Sequence, residues 1–327
     1  MKKILVTGAD GLLGSNLVRE LLNRGYQVRA FIQPDRKVKT LEGLAIEKFE
    51  GDILCKYCVR EAIQGCHFLI HTAANTSVWP SRDEAVRKIN VQGTQNIAEC
   101  ALEAKVERMV YVGTANSFGF GTKENPGCEE NSYKAYKYEM DYLDSKFEAH
   151  QVVLETVKKG LNAIIVNPTF MIGPFDSKPG SGSMIIALLK RKIKGFANGG
   201  RNYIYVKDVA TAIANALIMG RIGQGYILGN ANLSYQEAFT LIGKTVGVRP
   251  PQVRIPGWAV LLFGYLQSLK ARITGRPPII SFPLAKIALD DHYFTPKKAI
   301  EELKLPQTPL HVAIQESFEW FKENKYV

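Results

Sequence analysis

Cysteine is scarce. The 327 residues hold five, an odd number, which argues against a disulfide framework and for a reducing compartment. Long apolar runs are missing too. After Lys2 and Lys3 the stretch Ile4-Leu5-Val6 is broken at once by Thr7-Gly8, too short for a signal-peptide core. The longest uncharged apolar run, Trp258 to Leu266, falls far below the roughly 20 residues that cross a bilayer. The expected address is the cytoplasm, with no integral membrane span. Acids are outnumbered, 31 against 42 Lys and Arg, for a formal charge of +11. The clusters Arg36-Lys37-Lys39, Lys158-Lys159 and Lys190-Arg191-Lys192-Lys194 lack interleaved aromatics and any reader motif. They argue against nucleic acid and for solvated helix faces or attraction of an anionic ligand. There is no low-complexity tail and no internal repeat. What remains, 46% apolar and 22% charged, is an ordinary globular composition with material for a sizeable core.

Within it, short β-branched runs alternate with helical patterns. Lys3 to Thr7 reads as a strand, Leu12 to Asn23 as a helix closed by Gly25, and Gln27 to Ile32 as a second strand. Phe68-Leu69-Ile70, Met109 to Val112 and Ala163 to Val166 repeat the pattern. Continuously apolar strands suit a parallel sheet covered on both faces, so the expected class is α/β, a Rossmann-type doubly wound sheet. After Pro174 the texture changes to Gly, Ser and Pro, which predicts a smaller, loop-rich, mostly helical substrate region. The expected division is 1–174 and 175–327, with a return to the sheet near 203–230 through Tyr226-Ile227-Leu228.

The first strand runs into Gly8-Ala9-Asp10-Gly11-Leu12-Leu13-Gly14, with a helix opening at Leu12. Glycines there allow a tight turn, close approach of backbone to a pyrophosphate, and close helix-on-strand packing, while the helix N-terminus offers free N–H groups. The plain alternative is a Gly-rich strand–turn–helix; in this context the dinucleotide reading is preferred. An acidic residue closing the second strand would select NAD. Ile32 and Gln33 stand there instead, and Arg36, Lys37 or Arg29 offers a partner to a 2′-phosphate. NADP is therefore favoured over NAD, with Asp35 keeping NAD open.

Helical sequence from 133 to 150 carries two Tyr-x-x-x-Lys pairs, Tyr133/Lys137 and Tyr142/Lys146. Such spacing puts both side chains on one face. An ammonium beside a phenol draws its pKa, normally near 10, towards the working range of a general acid or base.

These strings occur together with Gly51-Asp52-Ile53, His71-Thr72-Ala73-Ala74, Asn90-Val91-Gln92-Gly93-Thr94, Val110 to Thr114, Asn167-Pro168 and Tyr203 to Ala210. In that order and spacing the chain resembles, over nearly its whole length, the extended short-chain dehydrogenases/reductases of the NAD-dependent epimerase/dehydratase superfamily. The resemblance implies Thr114, Tyr142 and Lys146 as the catalytic set. Lys146 precedes Pro168 by 22 residues, as in that family, and Lys137 by 31; Ser117 is the nearest competitor to Thr114. It implies a cofactor-binding set of Gly8, Asp10, Gly11, Leu12, Leu13, Gly14, Gln33, Arg36, Asp52, Ile53, Thr72, Ala73, Ala74, Asn90, Asn167 and Pro168. Asn75 and Trp79 are placed by a substrate pocket, Trp79 either in its wall or in the core. A homodimer is implied by the family alone.

Cys55-Lys56-Tyr57-Cys58 lacks a second spaced pair, so no metal is expected. His71 is read as strand-end packing and Asp208 as a helix N-cap. Ala115-Asn116 after Thr114 replaces the Asp-Glu pair of dehydratases. Arg201 matches one diphosphate arginine of nucleotide-sugar epimerases, but none is evident in Leu289 to Phe294. The segment Gly275 to Ile280, behind apolar Trp258 to Leu266, resembles the branch of dihydroflavonol 4-reductases and 3β-hydroxysteroid dehydrogenases. The expected activity is hydride transfer between NADP or NAD and a ketone or alcohol on a hydrophobic small molecule. A nucleotide-sugar epimerase and a non-enzymatic cofactor sensor stay open.

Overall fold

Strand β1 (Lys3–Thr7) is buried from Ile4 onward and is an interior strand of a seven-stranded parallel sheet. The protein is described from a computed structural model covering residues 1–36 and 38–327, so Lys37 lies outside the described residues. Helix α1 (Leu12–Asn23) follows, turning Leu13, Leu17, Val18 and Leu21 inward, and Gly25 at φ 78° lets the chain turn into β2 (Gln27–Ile32). Then come β3 (Glu47–Glu50), α2 (Lys56–Ile63), β4 (Phe68–His71), the short α3 (Glu84–Arg87) and α4 (Gly93–Glu103). Strand β5 (Arg108–Val112), α5 (Asp141–Lys158) and the fully buried β6 (Ala163–Pro168) continue the alternation.

The order β3-β2-β1-β4-β5-β6 is completed by a seventh strand, Gly225–Leu228, which pairs parallel with β6. Successive residues of β1 serve opposite layers: Ile4 and Val6 join the core under α1, and Leu5 joins the core under α2, α4 and α5. Strand order reverses between β1 and β4, which opens a crevice at their carboxyl ends.

Downstream of β6 the chain adds β7 (Phe170–Ile172), α6 (Ser183–Leu189), β8 (Gly200–Tyr205), α7 (Val206–Ala216), the seventh sheet strand as β9 (Gly225–Leu228) and β10 (Ala231–Ser234). It ends in α8 (Tyr235–Val246), α9 (Gly257–Thr274), α10 (Phe282–Ile287), β11 (Asp291–His292), α11 (Lys297–Leu303) and α12 (Leu310–Glu323). Beside these helices stands a four-stranded sheet, β8 lying antiparallel to β10 and parallel to β7 and β11. A mostly helical, loop-rich region was expected here, without this second sheet. The strands are short, and what knits them comes from separate segments: Asn202 of β8 gives its amide to Asn232 of β10 at 2.7 Å and accepts from Thr169 at 2.8 Å.

Three local expectations are corrected. Helix α5 opens only at Asp141, because Glu139 takes a left-handed φ of 53° behind a 3₁₀ turn at Ala135–Tyr138; Tyr133 and Lys137 therefore share no helix face. Asp208 is not a cap. It sits inside the first turn of α7, and its carboxylate accepts from the Thr308 N–H (2.8 Å) and hydroxyl (2.7 Å), tying α7 to the approach of α12. Cys55 and Cys58 are joined as a disulfide with Cα atoms 5.3 Å apart, since Cys55 at the N-cap of α2 faces the residue one turn on. It is a local staple; Cys66, Cys100 and Cys128 are free thiols. Among the described residues no helix is long and apolar enough to cross a membrane.

Candidate active site

At the reversal of strand order, Gly8 adopts φ 68°, and a Cβ there would meet the Ala73 backbone at 2.7 Å. Thr72 donates its hydroxyl to the Thr7 carbonyl (2.7 Å), and the Ala73 N–H donates to Thr7 Oγ1 (3.2 Å), locking the β1 and β4 loops together. A Cβ on Gly14 would run into the Gly8 carbonyl and the Ala9 Cα, the latter at 2.7 Å. Gly11 is different. Its φ is −77°, and only the Gly8 carbonyl lies near its missing Cβ, at 3.5 Å. Gly11 is also the N-cap of α1, with no side chain capping the first turn. The first N–H groups of α1 thus face an open approach with no side-chain acceptor, a cradle that fits a pyrophosphate.

At the end of β2, Arg36 forms a 2.8 Å ion pair with Asp10 and donates to Gln33 Oε1 at 3.2 Å. A guanidinium therefore stands at the mouth of the glycine loop where NAD-selective chains carry an acid. Arg29, the other cation considered there, is committed elsewhere, to Glu47 at 2.8 Å and to the carbonyls of Ala62 and Gln64. Asp52 is exposed and accepts from the Leu54 N–H at 2.9 Å, whereas Ile53 is buried beside α4. Asn90 spends its amide on the protein: it accepts from Asn75 N (2.8 Å) and donates to the Asn75 carbonyl and Ser145 Oγ, both at 3.0 Å. It holds the loop bearing Ala73, Ala74 and Asn75 against α5. At the end of β6, Asn167 is fully buried and neither amide atom has a partner, so a ligand reaching it would find both a donor and an acceptor.

The catalytic candidates gather where β5 meets α5. Thr114 caps the turn Ala115–Ser117, its Oγ1 accepting from Asn116 N at 3.4 Å, which leaves its own proton to donate. Lys146 is 4% exposed and donates to the Val112 carbonyl at 2.8 Å, with Nζ 4.6 Å from the Tyr111 ring centroid. Loss of water draws its pKa down to about 7. Tyr142, one turn earlier, is shifted upward by burial. The expected depression of the phenol is therefore not found in the protein alone, because both groups are desolvated and Lys146 is held by a carbonyl.

Tyr142 packs on a cluster of Ala135, Tyr138, Met140, Leu143 and Ile287, against which Val78 and Leu284 also pack. Asn75 accepts from Ser77 N at 3.0 Å, and the half-buried Trp79 offers its carbonyl to Ser77 Oγ at 2.9 Å. Arg201 is not free at a pocket surface: its Nε donates to Tyr235 Oη at 2.8 Å and its guanidinium lies 5.0 Å from the Phe170 ring centroid. Ser117 is buried without a partner for its hydroxyl. His71 shares a 2.7 Å bond with Thr7 Oγ1 and is drawn down to about 3 by burial, a packing residue rather than an acid or base.

Sequence reasoning missed a polar chain beside Thr114. His292 shares bonds with Asn116 Oδ1 (3.0 Å) and Tyr138 Oη (2.9 Å), Tyr138 donates to Asp290, and Asp290 pairs with Lys137 at 2.9 Å. Its members are up to 176 residues apart, which no local pattern announces.

The pattern of the NAD dependent epimerase/dehydratase family matches residues 4–229. A putative dihydroflavonol 4-reductase of Synechocystis is 35% identical, over 98% of this chain and 95% of its own length. Sterol demethylase protein B of Methylococcus capsulatus is 29% identical, over 98% of both chains. The crystal structure of gox2253 superposes with a TM-score of 0.88 at 31% identity, covering all of both chains.

Proposed function

From the premise that the chain belongs to the NAD dependent epimerase/dehydratase family, we propose that it is an NAD(P)-dependent carbonyl reductase or alcohol dehydrogenase of a lipophilic small molecule, working in the cytoplasm. The observation that carries this reading is that Tyr142 packs on an apolar cluster of Ala135, Tyr138, Met140, Leu143 and Ile287, which Val78 and Leu284 also flank, and this favours a hydrophobic ketone or alcohol over a charged sugar nucleotide. The two sequence relatives, a dihydroflavonol 4-reductase and a sterol demethylase protein, are named for lipophilic molecules and agree with it.

The cofactor would be held by Gly8, Asp10, Gly11, Leu12, Leu13 and Gly14 at its phosphates and by Gln33 and Arg36 at the adenosine ribose. Asp52 and Ile53 serve the adenine, Thr72, Ala73, Ala74 and Asn90 the groove, and Asn167 and Pro168 the nicotinamide end. When bound, the nicotinamide supplies or accepts the hydride. Thr114 donates its hydroxyl to the substrate oxygen and orients it. Tyr142 holds the proton for that oxygen; burial keeps the phenol protonated, the form that donates. Lys146, its pKa drawn down to about 7 by burial, stabilises in its charged form the phenolate left behind. Arg36 at the β2 end selects the 2′-phosphate and hence NADP.

A nucleotide-sugar epimerase needs arginines on a diphosphate; Arg201, its Nε given to Tyr235, is the one match to such a position, and Leu289 to Phe294 supplies no second. The deciding assay follows NADPH and NADH oxidation with a panel of lipophilic ketones. Net turnover, faster with NADPH, is expected. Tyr142→Phe should lower kcat by about 10²–10⁴ while cofactor fluorescence titrations stay unchanged. Tightly held NAD with no net turnover, or an active Tyr142→Phe enzyme, would sink the proposal.

A further inference from the structure

Helix α9 is built inside out. Over its 18 residues the buried positions are Val260, Gly264, Ser268 and Ala271, mostly small, and they pack on α10, where a Cβ on Gly264 would meet Ala285 at 2.6 Å. The large apolar residues point the other way: Trp258, Leu262, Tyr265, Leu266, Leu269 and Ile273 are between 46% and 78% exposed. At about 100° per residue these six fall within an arc of roughly 100°, opposite the buried stripe. A stripe of that size on a water-facing helix calls for a covering partner.

Charge identifies the partner. Residues 238–289 contain seven Lys and Arg and no Asp or Glu, whereas the whole chain carries 31 acids. On the helical wheel Lys270 and Arg272 flank the apolar arc on its two sides, and Arg276 follows just past the helix. A recess of about 430 Å³ beside the stripe is lined by Lys270, Thr274 and Arg276 together with Ala271, Pro277, Pro278 and Ile279, so two cations stand at the edge of a largely apolar hollow, the pairing that a lipid headgroup and its acyl chain present. A second copy of the chain would bring two acid-free, cationic faces together. An anionic lipid surface satisfies both features, accepting the apolar ridge into its acyl boundary while its headgroups meet the flanking cations.

We propose that α9 is a monotopic docking element that lays its Trp258–Ile273 ridge into anionic membrane surfaces. Among the described residues no helix spans a bilayer, so the association is peripheral and reversible. The docked face points away from the Tyr142 pocket: the buried face of α9 packs on α10, which supplies Leu284 and Ile287 to the cluster that Tyr142 joins.

The test is co-sedimentation of the full chain with vesicles of phosphatidylcholine alone or mixed with phosphatidylglycerol, at low and high salt. Partitioning should rise with the anionic fraction, fall with salt, and shift Trp258 emission to the blue, read as the difference between wild type and Trp258→Phe. A Leu262→Ser/Leu266→Ser/Ile273→Ser variant, changed only at exposed positions, should lose roughly tenfold or more in partitioning with an unaltered thermal melt and unaltered turnover of a water-soluble substrate. No binding to anionic vesicles at low salt overturns the proposal. So does a dimer in vesicle-free buffer that this variant splits into monomers, since a second copy would then be the partner. Failure of ketone reduction would leave the vesicle result standing, so the two proposals fail separately.

Discussion

Lys146 is a cation that folding strips of water, and its cost depends on pH. Its pKa is about 7 in the folded protein and near 10.4 in an unfolded chain. Between those values the folded state binds fewer protons than the unfolded one. The penalty is fully present below pH 7 and fades as pH rises towards 10, so stability climbs by up to about 1.4 kcal/mol per pH unit in that window. In the cofactor-free protein, Lys146→Met should flatten this slope in urea unfolding at pH 7, 8 and 9, and should be more stable than wild type at pH 7. Parallel slopes would show that the lysine is not desolvated. On the proposed mechanism the same variant should lose turnover, since nothing would then stabilise the Tyr142 phenolate. A group that costs stability and aids chemistry is the usual signature of a functional site.

The β1–loop–α1 element separates two kinds of glycine. Gly8 and Gly14 are demanded by the fold, because a Cβ on either would strike backbone that cannot move aside. Gly11 has room and an ordinary φ of −77°, so its lack of a side chain serves the space in front of α1. Gly11→Ala should lose no more than about 1 kcal/mol, the cost of a poorer N-cap, yet weaken NADPH binding by roughly tenfold or more. Gly8→Ala, at φ 68° and 2.7 Å from the Ala73 backbone, should lose about 1–3 kcal/mol. Paired thermal melts and cofactor titrations check both. Equal effects on melting and binding at Gly11 would mean that its role is structural.

For the molecule as a whole, acid is the weak side. His71, His150 and His292 are 1%, 5% and 5% exposed, and burial draws them to about 3, 4 and 3. An unfolded histidine protonates near 6.5, so below that pH the unfolded chain takes up protons that the folded one refuses, and stability falls. Glu129, Asp176 and Asp208, raised by burial, act in the opposite sense. Each histidine contributes a slope of up to about 1.4 kcal/mol per pH unit. His150→Leu removes one such group, a ring packed edge-on against Phe118 whose Nδ1 has no partner. It should move the acid-unfolding midpoint to lower pH in circular dichroism, and an unmoved midpoint would assign acid sensitivity elsewhere.

Local chain chemistry was enough for the boundaries of β1, α1 and β2, for the parallel sheet, and for the glycine loop with its helix. A strand buried on both faces, a 3.6-residue period and a left-handed glycine each leave their mark within a few residues. Tyr142 and Lys146 were legible because one helical turn holds both. The polar chain Asn116–His292–Tyr138–Asp290 was not, since it joins segments far apart in sequence that meet only once β11 lies beside β8. The four-stranded sheet stayed hidden because its strands are short and knit by asparagines. Nor could periodicity reveal which side of α9 is covered: a helix apolar nearly all round has no preferred face until α10 packs on one side and leaves the larger residues on the other.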